Sequence, residues 1–183
     1  MVNELIHILN ESLDGLTVSQ AAYGLAQTVE RITGTEREIL PGVIGSDGEC
    51  KYVGIDDIKS LIVYHKLNSS STAALPNGKG ENPGDLVNTF SMSMYLYWDR
   101  KRFNKQPDEV LILIQARWPQ LIMQVPDAKT VRIRVGTTNF NSLQIYSQEY
   151  ALQNARLPPQ MNLAQFNYTI EITFNPACLN ACP

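Results

Sequence analysis

Few residues of this chain have the types and spacing that catalysis requires. The two histidines, His7 and His65, lie far apart in the sequence, and no motif places a nucleophile beside a base. Asp56 and Asp57 are adjacent, so on a strand their carboxylates would point to opposite faces. We therefore expect no catalytic residues, and His65, which alternates with apolar neighbours, is expected in the core or at its boundary.

The cysteines are not arranged as a metal site or as a disulfide framework. There are three of them, Cys50, Cys178 and Cys182, and an odd number in a chain of 183 residues is unlike a disulfide scaffold. Structural zinc usually takes four Cys or His ligands in closely spaced pairs, and no histidine lies near Cys178 and Cys182 in the sequence. We expect reduced thiols and no metal or other cofactor.

The densest group of charges is a basic cluster that places four cations within six positions: Arg100, Lys101, Arg102 and Lys105. Such a cluster could contact phosphate or an acidic partner, or it could be a solvated turn between a strand and a helix. The net charge of −3 favours the second interpretation, because a general nucleic-acid binder carries a strong basic excess. Whether the cluster faces DNA or protein stays open.

Charge is also divided unevenly along the chain. Residues 1–60 hold ten acidic and four basic side chains, a net of −6, whereas residues 61–183 hold eight acidic and eleven basic ones, a net of +3. Two unlike surfaces could join copies of the chain head to tail, although a simply solvated surface explains the same numbers. The acidic side of such a joint would be Glu4, Glu11, Asp14 and Glu30.

Composition predicts one globular domain over residues 1–183. Apolar residues make up 44% of the chain, which is enough for a core of its own. Only 18% of residues are charged, while 47 of 183 are Asn, Gln, Ser or Thr, so the surface depends on neutral polar groups. The N-terminus lacks a basic signal-peptide pattern, and the longest apolar run, 110–114, is too short to span a membrane. We expect a soluble protein made in a cytoplasm.

Hydrophobic spacing predicts three helices. The first covers about 6–16 and ends near Gly15, and the second covers about 17–33 and ends at Gly34. A third begins at Pro107, where Asp108 and Glu109 complement the helix dipole. Residues 68–88 are rich in Ser, Gly and Pro and have no period, so they are expected to form a long flexible loop.

Alternating residues predict the strands. The clearest strand covers 89–99, with one face expected to contact the core residues Val110, Leu113, Ile114, Ile170 and Ile172; that face is Phe90, Met92, Met94, Leu96 and Trp98. Its other face ends in Tyr95 and Tyr97, which are expected to be half-exposed and covered by another chain. Shorter strands are expected at 38–44 (an edge, because of Pro41), 50–55, 58–67, 131–135, 143–146 and 168–174.

This order of elements predicts an α+β fold. The sheet is expected to be mainly antiparallel, because strands follow one another in consecutive runs. The N-terminal helices and the central helix are expected to pack on one face. The other face would be lined by Thr, Ser, Gln, Arg, Glu and Tyr.

The same order also carries a resemblance. A helix over 6–16, a short Ile39-Leu40-Pro41 strand, a long β-hairpin region, a helix beginning Pro107-Asp108-Glu109 and closing strands resemble the tail-terminator and head–tail connector (neck) proteins of tailed bacteriophages. The ending Phe174-Asn175-Pro176-Ala177-Cys178 is similar to small virion proteins of phages of gut Bacteroidetes, the crAss-like group included. The resemblance implies a tail-terminator-like fold and a ring around the DNA channel.

A virion structural protein of the phage neck or tail is therefore expected. It would form a homo-oligomeric ring of six or twelve copies, contact neighbouring portal, neck or tail proteins, touch packaged DNA non-specifically and catalyse nothing. A cytoplasmic binding module or assembly chaperone is the alternative, and a small α+β enzyme is a third. The candidate interface residues are Tyr95, Tyr97, Arg100, Lys101, Arg102, Lys105, Glu4, Glu11, Asp14 and Glu30.

Overall fold

The computed structural model describes residues 2–13, 20–44, 48–54, 61–75, 84–103, 105–118, 121, 128–150 and 157–175. The elements, in chain order, are α1 (Val2–Glu11), β1 (Gln20–Thr33), β2 (Glu36–Ile44), β3 (Cys50–Tyr52), β4 (Leu61–Ala74), β5 (Leu86–Asp99), α2 (Pro107–Arg117), β6 (Ala128–Asn139), α3 (Ser142–Glu149) and β7 (Met161–Phe174). The strands form one sheet in the order β3-β2-β1-β4-β5-β7-β6. Every pairing is antiparallel except that of β1 with β4. The expected α+β class with a mainly antiparallel sheet is confirmed.

The sheet has an apolar core on each face, and β5 contributes to both. Met92, Met94, Leu96 and Trp98 enter the first core, together with the buried residues of α1 and α2. This confirms the face expected from the alternation, although Phe90 at its outer end is only half-buried. Val110, Ile114, Ile170 and Ile172 are buried there as expected, whereas Leu113 is half-buried and is not part of this core. Tyr95 and Tyr97 enter the second core, which β1–β3 and α3 cover.

The second N-terminal helix is wrong, because residues 20–33 form β1. The pairing of β1 with β4 shifts register between Ala22 and Leu25, and such an irregularity breaks the two-residue alternation of a strand. Tyr23 and Ala26 consequently both pack against the second core although they lie three positions apart. A spacing of three positions between residues of one face is typical of a helix, which explains the wrong prediction. Gly34, with φ of 65°, makes the turn into β2.

The expected long loop is also corrected by the structure. Residues 68–74 continue β4, and β5 already begins at Leu86, so 68–88 is mostly one antiparallel hairpin. The side chains of 67–74 are exposed, and a strand exposed on both faces needs no apolar alternation. Because these residues are neutral and polar, hydrophobic periodicity does not reveal this strand. Residues 76–83 lie outside the described part of the chain.

Two more assignments differ near the C-terminus. The strand expected at 143–146 is α3, whose N-cap Asn141 accepts a 3.1 Å hydrogen bond from the Gln144 backbone through its side-chain oxygen. The last strand starts at Met161 rather than at 168. Strand β2 lies between β1 and β3, and Pro41 sits just beyond the last residue that pairs with β3. No helix in the described ranges is long and apolar enough to cross a membrane.

Candidate functional site

The basic cluster forms a tight turn between β5 and α2. Asp99 holds this turn, because its carboxylate accepts a 2.7 Å hydrogen bond from the Lys101 backbone N–H and its carbonyl accepts one of 2.8 Å from Phe103. Arg100 donates to Asn162 over 2.8 Å. The side chains of Arg100, Lys101 and Arg102 are exposed and that of Lys105 is half-buried. The turn therefore presents its cations outward on a fixed backbone.

The expected acidic side is divided between separate elements. Glu4 and Glu11 are exposed on α1, and Glu11 lies 3.1 Å from His7. Glu30 is on β1 and pairs with Arg37, its neighbour across the β1–β2 hairpin. Asp14 lies outside the described residues. Of the described acidic residues expected at the joint, only Glu4 and Glu11 therefore share one element, α1.

The expectation that a neighbouring chain covers Tyr95 and Tyr97 is corrected: the chain covers them itself. Tyr95 is 8% exposed and Tyr97 is 1% exposed. The ring of Tyr95 stacks on that of Tyr64 with centroids 4.9 Å apart, and Tyr97 meets Tyr150 edge to face at 5.6 Å. The sequence pattern identified the second face correctly but could not show which elements lie over it.

A buried polar network lies within this tyrosine cluster. The Tyr64 hydroxyl donates to the Glu149 carboxylate over 2.8 Å and lies 3.0 Å from the Tyr97 hydroxyl. Lys66 forms an ion pair with the same carboxylate, and both side chains are largely buried. Burial, reinforced by the neighbouring tyrosines, raises the pKa of Tyr64 well above its usual value. The hydroxyls therefore remain protonated donors at neutral pH, and the network fastens α3 to β4.

His65 is a core histidine, as the sequence predicted. Its Nδ1 lies 2.8 Å from the Tyr168 hydroxyl and its Nε2 lies 2.9 Å from Asn10 Oδ1. Because the amide oxygen can only accept, Nε2 must carry the proton and Nδ1 accepts from Tyr168. Burial lowers the pKa of His65 to about 3, so the ring is neutral and both nitrogens have partners.

The outer edge of β4 over residues 67–74, which we call the open edge, is a further candidate surface, because these residues are exposed. Strand β4 pairs with β1 only over residues 61–65, and beyond Leu25 the described part of β1 pairs with β2 instead. A cleft of about 370 Å³ lies where the two strands separate. The lining residues of this cleft are Leu25, Ala26, Gln27, Thr28, Lys66 and Leu67.

The polar face of the sheet continues beside the open edge. Asn68 donates to the Ser93 hydroxyl over 2.9 Å, and Ser93 donates to Asn167 over 2.7 Å. Asn167 then donates to Thr137 over 2.9 Å. A row of neutral hydrogen bonds thus crosses β4, β5, β7 and β6. It marks the border between the half of this face that β1–β3 and α3 cover and the half that stays polar. The sequence predicted a polar surface over the whole face, which is wrong for the covered half.

An ion pair joins β6 to the start of β5. The ammonium of Lys129 lies 2.8 and 2.6 Å from the two Asp85 carboxylate oxygens. The Asp85 side chain is fully buried, whereas that of Lys129 is 33% exposed. The Asp85 carbonyl also accepts a 3.0 Å hydrogen bond from the Leu75 N–H, which links β5 to the end of β4.

We expect the two halves of this pair to respond unequally to substitution. Lys129→Met should lower the free energy of unfolding by about 3 kcal/mol, because it leaves a buried carboxylate without a counter-charge. Asp85→Asn should lower it by only about 1–2 kcal/mol, since water can reach the remaining ammonium. Urea unfolding of both variants measures the difference. Equal losses, or a larger loss for Asp85→Asn, would contradict this account of the pair.

Comparison of the chain with protein-family models and with curated proteins finds no match. The described residues contain no group of three or more His, Cys, Asp and Glu side chains that could hold a metal ion. Cys178 and Cys182 lie outside the described ranges, as do Asp56 and Asp57.

Proposed function

We propose that this protein is a structural component of a bacteriophage virion, which assembles as a ring in the neck or tail and helps to join head to tail around the DNA channel. In this proposal it catalyses nothing, and its neighbours are portal, neck or tail proteins. The proposal joins the resemblance of element order to the surfaces described above. The position of the protein at the neck or tail of the particle is proposed from the resemblance alone.

The observation that carries the proposal is the exposed half of the β4–β5 hairpin. Residues 67–74 are exposed, and residues 86–91 of β5 are half-buried. This half of β4 pairs with β5 but has little packed over its faces and no strand on its outer edge among the described residues. Protein assembly is a common reason to retain such a strand. The polar groups described above also favour a structural role, because His65, Tyr64 and Glu149 are engaged within the fold.

The basic turn and α1 are the proposed unlike surfaces of a head-to-tail ring. Arg100, Lys101 and Arg102 project from a fixed turn, and Glu4 and Glu11 are exposed on α1. Charges at the rim of an interface act mainly on the association rate and on its salt dependence. If these surfaces meet, reversing the charge on one of them must slow assembly most at low salt.

The experiment compares purified wild-type protein with a Lys101→Glu/Arg102→Glu variant. Light scattering and electron microscopy should show a discrete ring for the wild type, and the variant should assemble more slowly at low salt and nearly normally at high salt. A Lys51→Glu/Arg132→Glu variant is the matched control, because both side chains are exposed and lie outside the basic turn. This control should assemble like the wild type.

Two outcomes would contradict parts of this proposal. Equal assembly rates of the Lys101→Glu/Arg102→Glu variant and the wild type at every salt concentration would exclude the electrostatic joint. A wild-type protein that stays monomeric at all concentrations would contradict the ring and favour a binding module or assembly chaperone.

A further inference from the structure

We infer that the open edge of β4 pairs with the open edge of a second copy of this chain, antiparallel and about a two-fold axis. Along residues 67–74 the backbone N–H and C=O groups that point away from β5 have no strand partner among the described residues. An extended polypeptide is the ligand that such a row of groups recognises. This inference does not depend on the proposed ring.

The open edge lacks the features by which proteins protect a sheet edge. Its sequence, Leu-Asn-Ser-Ser-Ser-Thr-Ala-Ala, contains no charged residue and no proline. The opposite edge of the sheet, β6, is different. It carries Lys129, Arg132 and Arg134, and its pairing with β7 is irregular near both ends. Strand β3, the remaining edge, has only three residues. Among the described strands, the long unprotected edge is therefore β4.

The side chains of the open edge make a second copy of β4 a suitable partner. In an antiparallel pair about a two-fold axis, residues of the same sheet face lie opposite each other, so the axis passes through one residue that faces its own copy. With the axis at Ser71, Ser70 faces Thr72 and Ser69 faces Ala73. These are small, neutral pairs, and Ser and Thr can hydrogen-bond across strands. Strand β4 pairs with β5 without a register shift over 69–74, so no bulge interrupts this stretch.

The nearest charge does not oppose this pairing. Lys66 lies at the inner end of the edge, where its ammonium is paired with Glu149 and lies 3.2 Å from the Thr28 hydroxyl. Among the described residues, two copies would therefore bring no unpaired like charges together at this edge. A contact of about six residues per copy is far smaller than a standard interface of ~1,600 Å², so the isolated dimer should be weak.

The test uses opposite charges at one exposed position. Sedimentation of the wild type at rising concentration should show a monomer–dimer equilibrium. Ser71→Lys and Ser71→Asp should each raise the dissociation constant about fivefold or more, because the two-fold axis places like charges against each other. An equimolar mixture of the two variants should recover dimers, since unlike charges then meet. Gln148→Lys, on the exposed surface of α3, carries the same added charge and should behave like the wild type.

Crosslinking supplies a second readout that does not depend on charge. In a chain whose Cys50, Cys178 and Cys182 are replaced by serine, a single cysteine is placed at Ser70, Ser71 or Thr72 in turn. The position on the axis should form a disulfide-linked dimer under mild oxidation, whereas a cysteine at Gln148 should not. Failure of all three positions to crosslink, or failure of the charge mixture to recover dimers, would overturn the inference.

The results also separate this contact from the proposed ring. A ring that keeps its size and assembly rate when Ser71 is changed to Lys would overturn the β4 pairing and leave the ring proposal in place. A dimer that forms through Ser71 and assembles no further would support the pairing and contradict the ring. If both contacts exist, the ring with twelve copies is the expected assembly, because a two-fold contact doubles the number of copies.

Discussion

A Met94→Asp protein is expected not to fold. Met94 is fully buried in the first core, on the face of β5 that also holds Met92, Leu96 and Trp98. The substitution removes a large apolar side chain and places a carboxyl group opposite His65, whose two ring nitrogens are already engaged by Tyr168 and Asn10. An unpaired polar group in such a site costs several kcal/mol, roughly, even after it takes up a proton. Together with the cavity, the loss approaches the whole stability of a typical domain, about 5–15 kcal/mol.

Two further variants test whether the effect of Met94→Asp arises from burial of the carboxyl group. Met94→Leu conserves most of the volume and should lower the free energy of unfolding by less than about 1.5 kcal/mol. Ile112→Asp introduces the same carboxylate at a side chain that is 63% exposed on α2, and it should cost about 1 kcal/mol or less. Thermal or urea unfolding followed by circular dichroism measures all three. A cooperative transition of Met94→Asp close to that of the wild type would show that this face is not core.

Strand β5 shows what the sequence could predict. Its two-residue alternation is unbroken from Thr89 to Asp99, and the observed strand, Leu86–Asp99, places the predicted apolar face in the first core. The alternation can be recognised because β5 pairs with a strand on each side and because its two faces carry side chains of different polarity. Strand β1 differs, because its first part pairs only with β4 and its second part only with β2. The irregularity near Gly24 also changes the spacing of its apolar residues.

The buried network around Glu149 could not be predicted for a different reason. Tyr64 and Glu149 are separated by 85 positions and meet only because α3 lies over the second face of the sheet. Residues 143–146 alternate as in a strand, and this pattern does not predict a helix that brings Glu149 to Tyr64. A glutamate at the end of a short polar helix carries no local signal of burial. Three tyrosines on the neighbouring strands β4 and β5 indicate a covered surface, but they do not indicate that α3 lies over it.

The open edge escaped prediction because exposure removes the pattern by which strands are recognised. Hydrophobic alternation records which face of a strand is buried, and residues 67–74 bury neither face. Backbone pairing with β5 over this stretch, from Met92 opposite Leu67 to Leu86 opposite Ala74, is independent of that pattern. The turn that holds the basic cluster can be predicted, because a turn between a strand and a Pro-initiated helix is a local feature of the sequence.

Acidification should destabilise this protein through His65 as the pH falls from about 6.5 to about 3. The pKa of His65 is lowered to about 3 in the folded protein, while an unfolded histidine has a pKa near 6.5. Between these values the unfolded state binds the additional proton, so the free energy of unfolding decreases as the pH falls. The stability that the neutral ring retains above pH 6.5 is thus lost progressively, by roughly 4–5 kcal/mol in all.

A His65→Gln variant isolates this contribution from that of the carboxylates. Glutamine keeps an amide near Asn10 and Tyr168 but takes up no proton, so the variant should be less stable at pH 7 and should lose less stability on acidification. The measurement is urea unfolding of both proteins at intervals from pH 7 to pH 4, compared as the difference between them. That difference should shrink steadily below pH 6.5, because only the wild type must keep a histidine neutral. A constant difference across this range would mean that His65 gains its proton in the folded protein, and that the hydrogen bond from Tyr168 to Nδ1 does not persist.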